Sequence, residues 1–171
     1  MEAILRAELT EKRLFLLDMD GTLYLDDDLF PGTIPFLRRI REKGGRYLFL
    51  TNNSSRGADS YVEKLRRLGI ESVPEDFLTS VDALILFLRK GDYQGKPLYV
   101  AGTESFRRQL RSAGFSVTSD REEAEVLICG FDTELTFQKL EDACILLNRG
   151  AEFLATNPDW VCPTWYGYVP D

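Results

Sequence analysis

Two aspartates, Asp18 and Asp20, stand two positions apart where the apolar run Leu14–Leu17 ends, and Gly21 and Thr22 follow at once. Buried strands do not ordinarily end in paired carboxylates, because two like charges resist desolvation unless a cation or hydrogen bonds compensate. Residues two apart on a strand share a face, so both carboxyl groups are expected to enter one crevice. A carboxylate placed there can attack phosphorus and form an aspartyl-phosphate that water then hydrolyses. That chemistry needs a divalent cation against the phosphoryl oxygens and backbone N–H groups around the developing charge. It also needs a second carboxyl to protonate the leaving alkoxide and later activate water. Asp18 suits the nucleophile, Asp20 the acid and base, and Gly21 a close approach of the backbone. A second polar cluster, Thr51-Asn52-Asn53, ends the apolar run 46–50 with a hydroxyl, two amides and backbone donors, a set suited to phosphate oxygens.

Both clusters need strand tips to hold them. Leu14–Leu17 read as a buried parallel strand, and residues 46–50 as its neighbour. Between them a helix is expected over Thr33–Lys43, with Thr33 as N-cap and Ile34, Leu37 and Ile40 inward. A second helix carries Ala58, Tyr61, Leu65 and Leu68 on one face. A strand at 77–79 leads into a helix from Ser80 with Ala83, Leu84 and Phe87 inward. Composition shifts to Gly, Asp, Gln and Pro around Lys90–Pro97, and the alternation then restarts. Strands are expected at 98–101, 115–118, 125–129 and 152–155, and helices at 103–113 and 136–148. Leu140, Ala143, Cys144 and Leu147 are expected inward on the last helix. Alternation of this kind predicts βαβ units and a parallel sheet, an α/β fold. The final segment 160–171, rich in Trp and Tyr, shows no terminating element.

Bulk properties narrow the function. The 171 residues include 44% hydrophobic and 29% charged side chains, the range of a folded globular protein. A formal charge of −7 disfavours a nucleic-acid partner. No apolar run reaches the roughly 20 residues that cross a bilayer, so no membrane role is expected. Three widely spaced cysteines fit reduced thiols and a cytoplasmic protein. With no histidine, Ser-His-Asp and Cys-His systems are excluded, and acid–base chemistry falls to carboxylates. A calcium loop starting at Asp18 fails, because Leu23 and Leu29 occupy its glycine and glutamate positions. Plainer readings stand beside these: capping acids for Asp18 and Asp20, a helix N-cap loop for Thr51–Asn53, a turn acid for Asp132, and packing roles for Cys129 and Cys144.

The segments DMDGTLYLDD, PGTIPFL, TNNSSR, GFD and ATNPD together resemble the haloacid dehalogenase superfamily of phosphatases, and within it the NagD and p-nitrophenyl-phosphatase-like group. The resemblance implies a Rossmann-like core with an α/β cap inserted after the second signature, here core 1–91 and cap 92–171. It implies Mg2+ bound through Asp18 and the backbone carbonyl of Asp20, and a small phosphorylated metabolite as substrate. Asp159 and Cys162, like Asn157, lie where caps of this group reach toward the substrate. Trp160, Trp165, Tyr166 and Tyr168 would line its entrance or be uncovered apolar surface. The group also uses a lysine and a Gly-Asp-x-x-x-Asp-like pair after the cap. Gly91-Asp92 and Gly95-Lys96-Pro97 match these poorly in position. The expectation is therefore the first half of a core plus nearly all of a cap, with weak or silent catalysis as the alternative. Half a parallel sheet leaves an unpaired edge, from which self-association is expected.

Overall fold

The computed structural model describes residues 11–164 and 166–170. Most of the expected polar lead-in (1–10), Trp165 and Asp171 lie outside the described residues. Strand β1 (Leu14–Asp18) pairs in parallel with β4 (Arg46–Thr51), which pairs in parallel with β5 (Phe77–Thr79). Between β1 and β4 run a two-stranded ribbon, β2 (Tyr24–Leu25) with β3 (Asp28–Leu29), and helix α1 (Thr33–Glu42). The ribbon was not foreseen. Its two-residue turn holds Asp26 at φ 51°, a left-handed conformation that aspartate tolerates better than most residues.

Helix α2 (Ala58–Arg67) joins β4 to the short turn before β5, and places Tyr61 and Leu65 in the core. That core centres on Met19, Phe49, Leu65 and the neighbouring rings of Tyr47 and Phe77, all buried. Full burial of a side chain the size of Leu65 is worth about 1.5–3 kcal/mol relative to exposure. The N-cap of α1 is Gly32, not Thr33. The Thr33 hydroxyl instead donates to the Leu23 carbonyl at 2.7 Å, tying the helix to the loop after β1.

A second sheet has the order β7-β6-β8-β9, all parallel: β6 (Leu98–Ala101), β7 (Val117–Thr118), β8 (Val126–Cys129) and β9 (Glu152–Ala155). Helix α3 (Ser80–Lys90) precedes it, α4 (Glu104–Ser112) follows β6, and α5 (Phe137–Asn148) follows β8. Thr79, Thr103 and Thr136 cap these helices by accepting from the N–H three residues on. Val81, Leu84 and Leu88 of α3 pack into the core of this second sheet with Leu98, Phe106 and Ile128. The C-terminal segment does form regular structure, an antiparallel hairpin of β10 (Val161–Thr164) and β11 (Gly167–Pro170).

Three expected faces differ. Leu14 and Leu16 are 57% and 58% exposed, and among the described strands β1 pairs only with β4. Phe87 and Ala83 face out from α3, whose inward set is Val81, Leu84 and Leu88. On α5, Leu140, Cys144 and Leu147 face out, and the buried positions are Asp142, Ala143 and Leu146.

Candidate active site

Strand β1 carries Asp18 to its C-terminal tip, and the chain turns sharply beyond it. The amides of Thr22 and Leu23 both donate to the Met19 carbonyl, and Gly21 donates to the Tyr24 carbonyl at 2.8 Å. Gly21 sits at φ 79°, which L side chains rarely adopt. A Cβ there would meet nothing within 4 Å, so the turn's handedness requires the glycine, not a close approach. Thr22 reaches back one turn, and its hydroxyl donates to Asp18 Oδ2 at 2.8 Å. The bond orients one oxygen of the carboxylate and leaves the other free to face a ligand.

Strand β4 brings Thr51 alongside. Thr51 is buried, and its hydroxyl accepts from the Asn53 amide at 3.2 Å. The two tips open into a cleft of about 620 Å³ lined by Asp18, Asp20, Thr51, Asn52, Asp159 and Cys162, with Leu50, Leu78, Thr79, Ser80, Ala83 and Val161. Most of the expected site residues thus share one cleft. Asn53 and Gly21 do not line it. The Asn53 side chain folds onto its own loop, accepting from the Ser55 amide at 2.9 Å and hydroxyl at 2.7 Å. Asn52 spans the cleft, donating from Nδ2 to Asp159 Oδ2 at 2.7 Å, while its carbonyl accepts from the Ser80 hydroxyl at 2.8 Å. Asp159 is itself steadied by Asn157, whose Oδ1 accepts its amide at 2.7 Å.

Burial pushes the Asp20 carboxyl upward from its ordinary value, and nearby Asp18 and Asp26 add to the rise. Lys64 opposes the shift. Its ammonium lies 3.6 Å from Asp20 Oδ1 and 3.9 Å from the centroid of the Tyr24 ring. Burial also pushes the Tyr61 phenol up to about 12, so it stays neutral beside this cluster at physiological pH. Sequence reasoning missed Lys64. A signal was present: it lies three residues after Tyr61 and four before Leu68, on the inward stripe of α2, where a lysine needs a counter-charge. Lys96, by contrast, precedes β6, lies 5.5 Å from the Tyr93 ring centroid and does not line the cleft.

Among the described residues no group of three or more His, Cys, Asp or Glu side chains is gathered closely enough to enclose a metal. The donor set nevertheless fits a magnesium ion. Mg2+ is commonly held by one or two carboxylates, with water and phosphate oxygens completing an octahedron. Asp18 and Asp20 supply hard oxygens at the floor of the cleft.

The profile of the haloacid dehalogenase-like hydrolases matches residues 15–116, more than half of the chain. The chain belongs to the haloacid dehalogenase-like hydrolase family. Within it, the relatives are of the NagD and nitrophenyl-phosphatase kind. A 4-nitrophenylphosphatase from Thermotoga maritima superposes with a TM-score of 0.86 at 40% identity, covering 95% of this chain and 61% of that one. An acid sugar phosphatase of Staphylococcus aureus is 32% identical over 158 residues, 92% of this chain and 60% of that protein. A glycerol phosphate phosphatase from Mycobacterium tuberculosis, solved in complex with magnesium, has a TM-score of 0.85 at 28% identity, covering 94% of this chain and 48% of that one. The chain thus spans about 60% of the length of the curated relatives it matches. No helix among the described residues is long and apolar enough to cross a membrane.

Proposed function

We propose that the protein is a Mg2+-dependent phosphatase that hydrolyses a small phosphorylated metabolite through an aspartyl-phosphate. The observation that carries this is the convergence of Asp18, Asp20 and Thr51 at two adjacent parallel strand tips in one cleft. Asp18, oriented by Thr22, attacks phosphorus from its free oxygen as the ester P–O bond breaks. Asp20, with its carboxyl pushed upward, gives its proton to the leaving alkoxide and later takes one from the water that attacks the acyl phosphate. Inorganic phosphate leaves and Asp18 is regenerated. Thr51 and Asn52, which line the cleft, hold phosphoryl oxygens, and Asn53 shapes their loop from outside it. Bound magnesium, held by the Asp18 carboxylate and the Asp20 backbone carbonyl, would offset the charge that accumulates on those oxygens. Relatives that are phosphatases, one of them solved with magnesium, support the reading.

Asp159 and Cys162, on the opposite wall, contact the leaving group. The chain divides into a core and a cap along this cleft, with the change of body earlier than the composition shift near residue 91. The packing of α3 on the second sheet favours setting the change of body just before Ser80. Cys129, Cys144 and Cys162 form no disulfide among the described residues, which supports a cytoplasmic location.

A second reading has its own observation. The cleft lining holds Asp18, Asp20 and Asp159 but neither lysine nor arginine, and Lys64 is engaged with Asp20. On that reading the 171-residue chain binds phosphate without turnover. One experiment separates the two: p-nitrophenyl phosphate hydrolysis with and without Mg2+, for the chain and for Asp18→Asn. Turnover that requires Mg2+ and disappears in Asp18→Asn supports the phosphatase. Full activity in the variant rules out Asp18 as nucleophile, and an inert chain that binds inorganic phosphate supports the second reading.

A further inference from the structure

Behind the cleft, the loop after Thr51 meets the ends of three strands of the second sheet. Ser54 is wholly buried there, and its Oγ accepts the Phe131 amide at 2.9 Å and the Thr156 hydroxyl at 3.1 Å. The adjacent Ser55 carbonyl accepts the buried Thr103 hydroxyl at 2.8 Å. Thr103 lies just past β6, Phe131 just past β8 and Thr156 just past β9. Gly130 admits this approach: a Cβ on it would collide with Ser54 Oγ and come within 2.8 Å of the Phe106 ring and 3.0 Å of Thr156 Oγ1. Ser54 Oγ is wholly buried, so a bond lost there leaves its partners without a ready substitute, and the loop is held to one position.

We infer that Ser54 is a positioning residue: it fastens the Thr51–Asn53 loop to the second sheet and so fixes the spacing between the two walls of the cleft. The reaction it serves is the one proposed above, and the inference rests on that reading of the cleft. Thr51 and Asn52 are two and three residues upstream on the same loop, and Asn52 bridges to Asp159 on the far wall. Loosening Ser54 lets the loop that carries Thr51 and Asn52 drift relative to that wall and leaves Asp18 and Asp20 where they are. The expected signature is a weaker grip on the substrate with the chemical step intact.

The test compares the full chain with Ser54→Ala by NMR. The Phe131 amide should exchange with solvent at least tenfold faster. The Asn52 side-chain amide, which the substitution does not touch, should lose its Asp159-bonded shift. Amides of Met19 and Phe49 should keep their wild-type exchange. If Ser54→Ala does not fold, Thr156→Val decides, since it deletes one partner hydroxyl at nearly constant shape. The same change at Asn52 supports the inference, and wild-type Asn52 signals overturn it. With p-nitrophenyl phosphate, Ser54→Ala should raise KM at least fivefold with kcat within twofold, and Ser54→Thr, which keeps the hydroxyl, should restore KM. An unchanged KM overturns the role. A wild-type chain that releases no phosphate would count against the proposed reaction, and the Asn52 signals would still decide what Ser54 does.

Discussion

Asp132 offers a test of how the second sheet is held at its cleft end. Its carboxylate faces Lys139 of α5 at 2.8 Å, with only 6% and 12% of the two side chains exposed. The Lys139 ammonium has three acceptors: Asp132 Oδ2, the Gly102 carbonyl at 3.1 Å and the Glu134 carbonyl at 2.8 Å. The other carboxylate oxygen accepts the Glu134 amide at 2.9 Å. Asp132→Ala leaves the ammonium buried without its counter-charge. Breaking a buried pair from one side costs about 3–5 kcal/mol. Two carbonyls still hold Lys139, so the lower end applies, about 3 kcal/mol, a large part of the 5–15 kcal/mol typical of a whole domain. Urea unfolding followed by circular dichroism should show it. With a slope of about 2 kcal/mol per molar, the midpoint falls by about 1.5 M. The double variant Asp132→Ala/Lys139→Met should recover part of that loss, because no uncompensated charge remains. A midpoint shift under about 0.3 M, or strict additivity in the double variant, would refute the reasoning.

Two further outcomes can be checked on the same material. Burial pushes the Asp142 carboxyl up, but hydrogen bonds from Tyr99, Arg121 and Gln138 outweigh it and hold the group below its ordinary value. A carboxyl lowered by folding stabilises above its unfolded value, near about 3.9, and loses that contribution as pH falls through the folded value. Asp142→Asn should therefore be less stable than wild type at pH 7 and converge on it in strong acid. A constant gap across the titration would count against the network. Burial, aided by Asp132, pushes the Cys129 thiol up to about 11, whereas Cys144 is exposed. Iodoacetamide at pH 8, followed by peptide mass spectrometry, should label Cys144 at least tenfold faster, as thiolate supply and access both require; equal rates would contradict the packing at β8.

The polar strand tips were legible because they break a pattern. Apolar runs ending in Asp18-x-Asp20 and in Thr51-Asn52-Asn53 stand out locally, and β/α alternation places both at one end of a parallel sheet. The faces of α3 and α5 were not legible for a complementary reason. Leu84 to Leu88 is an unbroken apolar run, and α5 carries Ala143 to Leu147, so periodicity cannot choose the buried side. Asp142, just before that run, gave no sign of burial because its partners Tyr99 and Arg121 lie far away in sequence. Lys64 belongs to no recognisable motif, and only its place on the inward stripe of α2 marks it. Asp132 read as an ordinary turn acid because a turn and a buried ion pair leave the same local trace. The exposed side of β1 follows from topology: alternation tells which residues share a face, not whether a layer covers it.

The contact between Ser54 and Gly130 also bears on how the family can vary. The two positions are 76 residues apart, yet a Cβ at 130 would claim the volume that the Ser54 hydroxyl already fills beside Phe106. Neither is free to drift alone. A larger residue at 130 demands loss of the hydroxymethyl group at 54, and a larger residue at 54 demands that 130 stay glycine. Across homologous chains the pair should covary as a unit, with glycine retained wherever serine is. A substitution that one lineage accepts at either site should be poorly tolerated when transplanted singly into another.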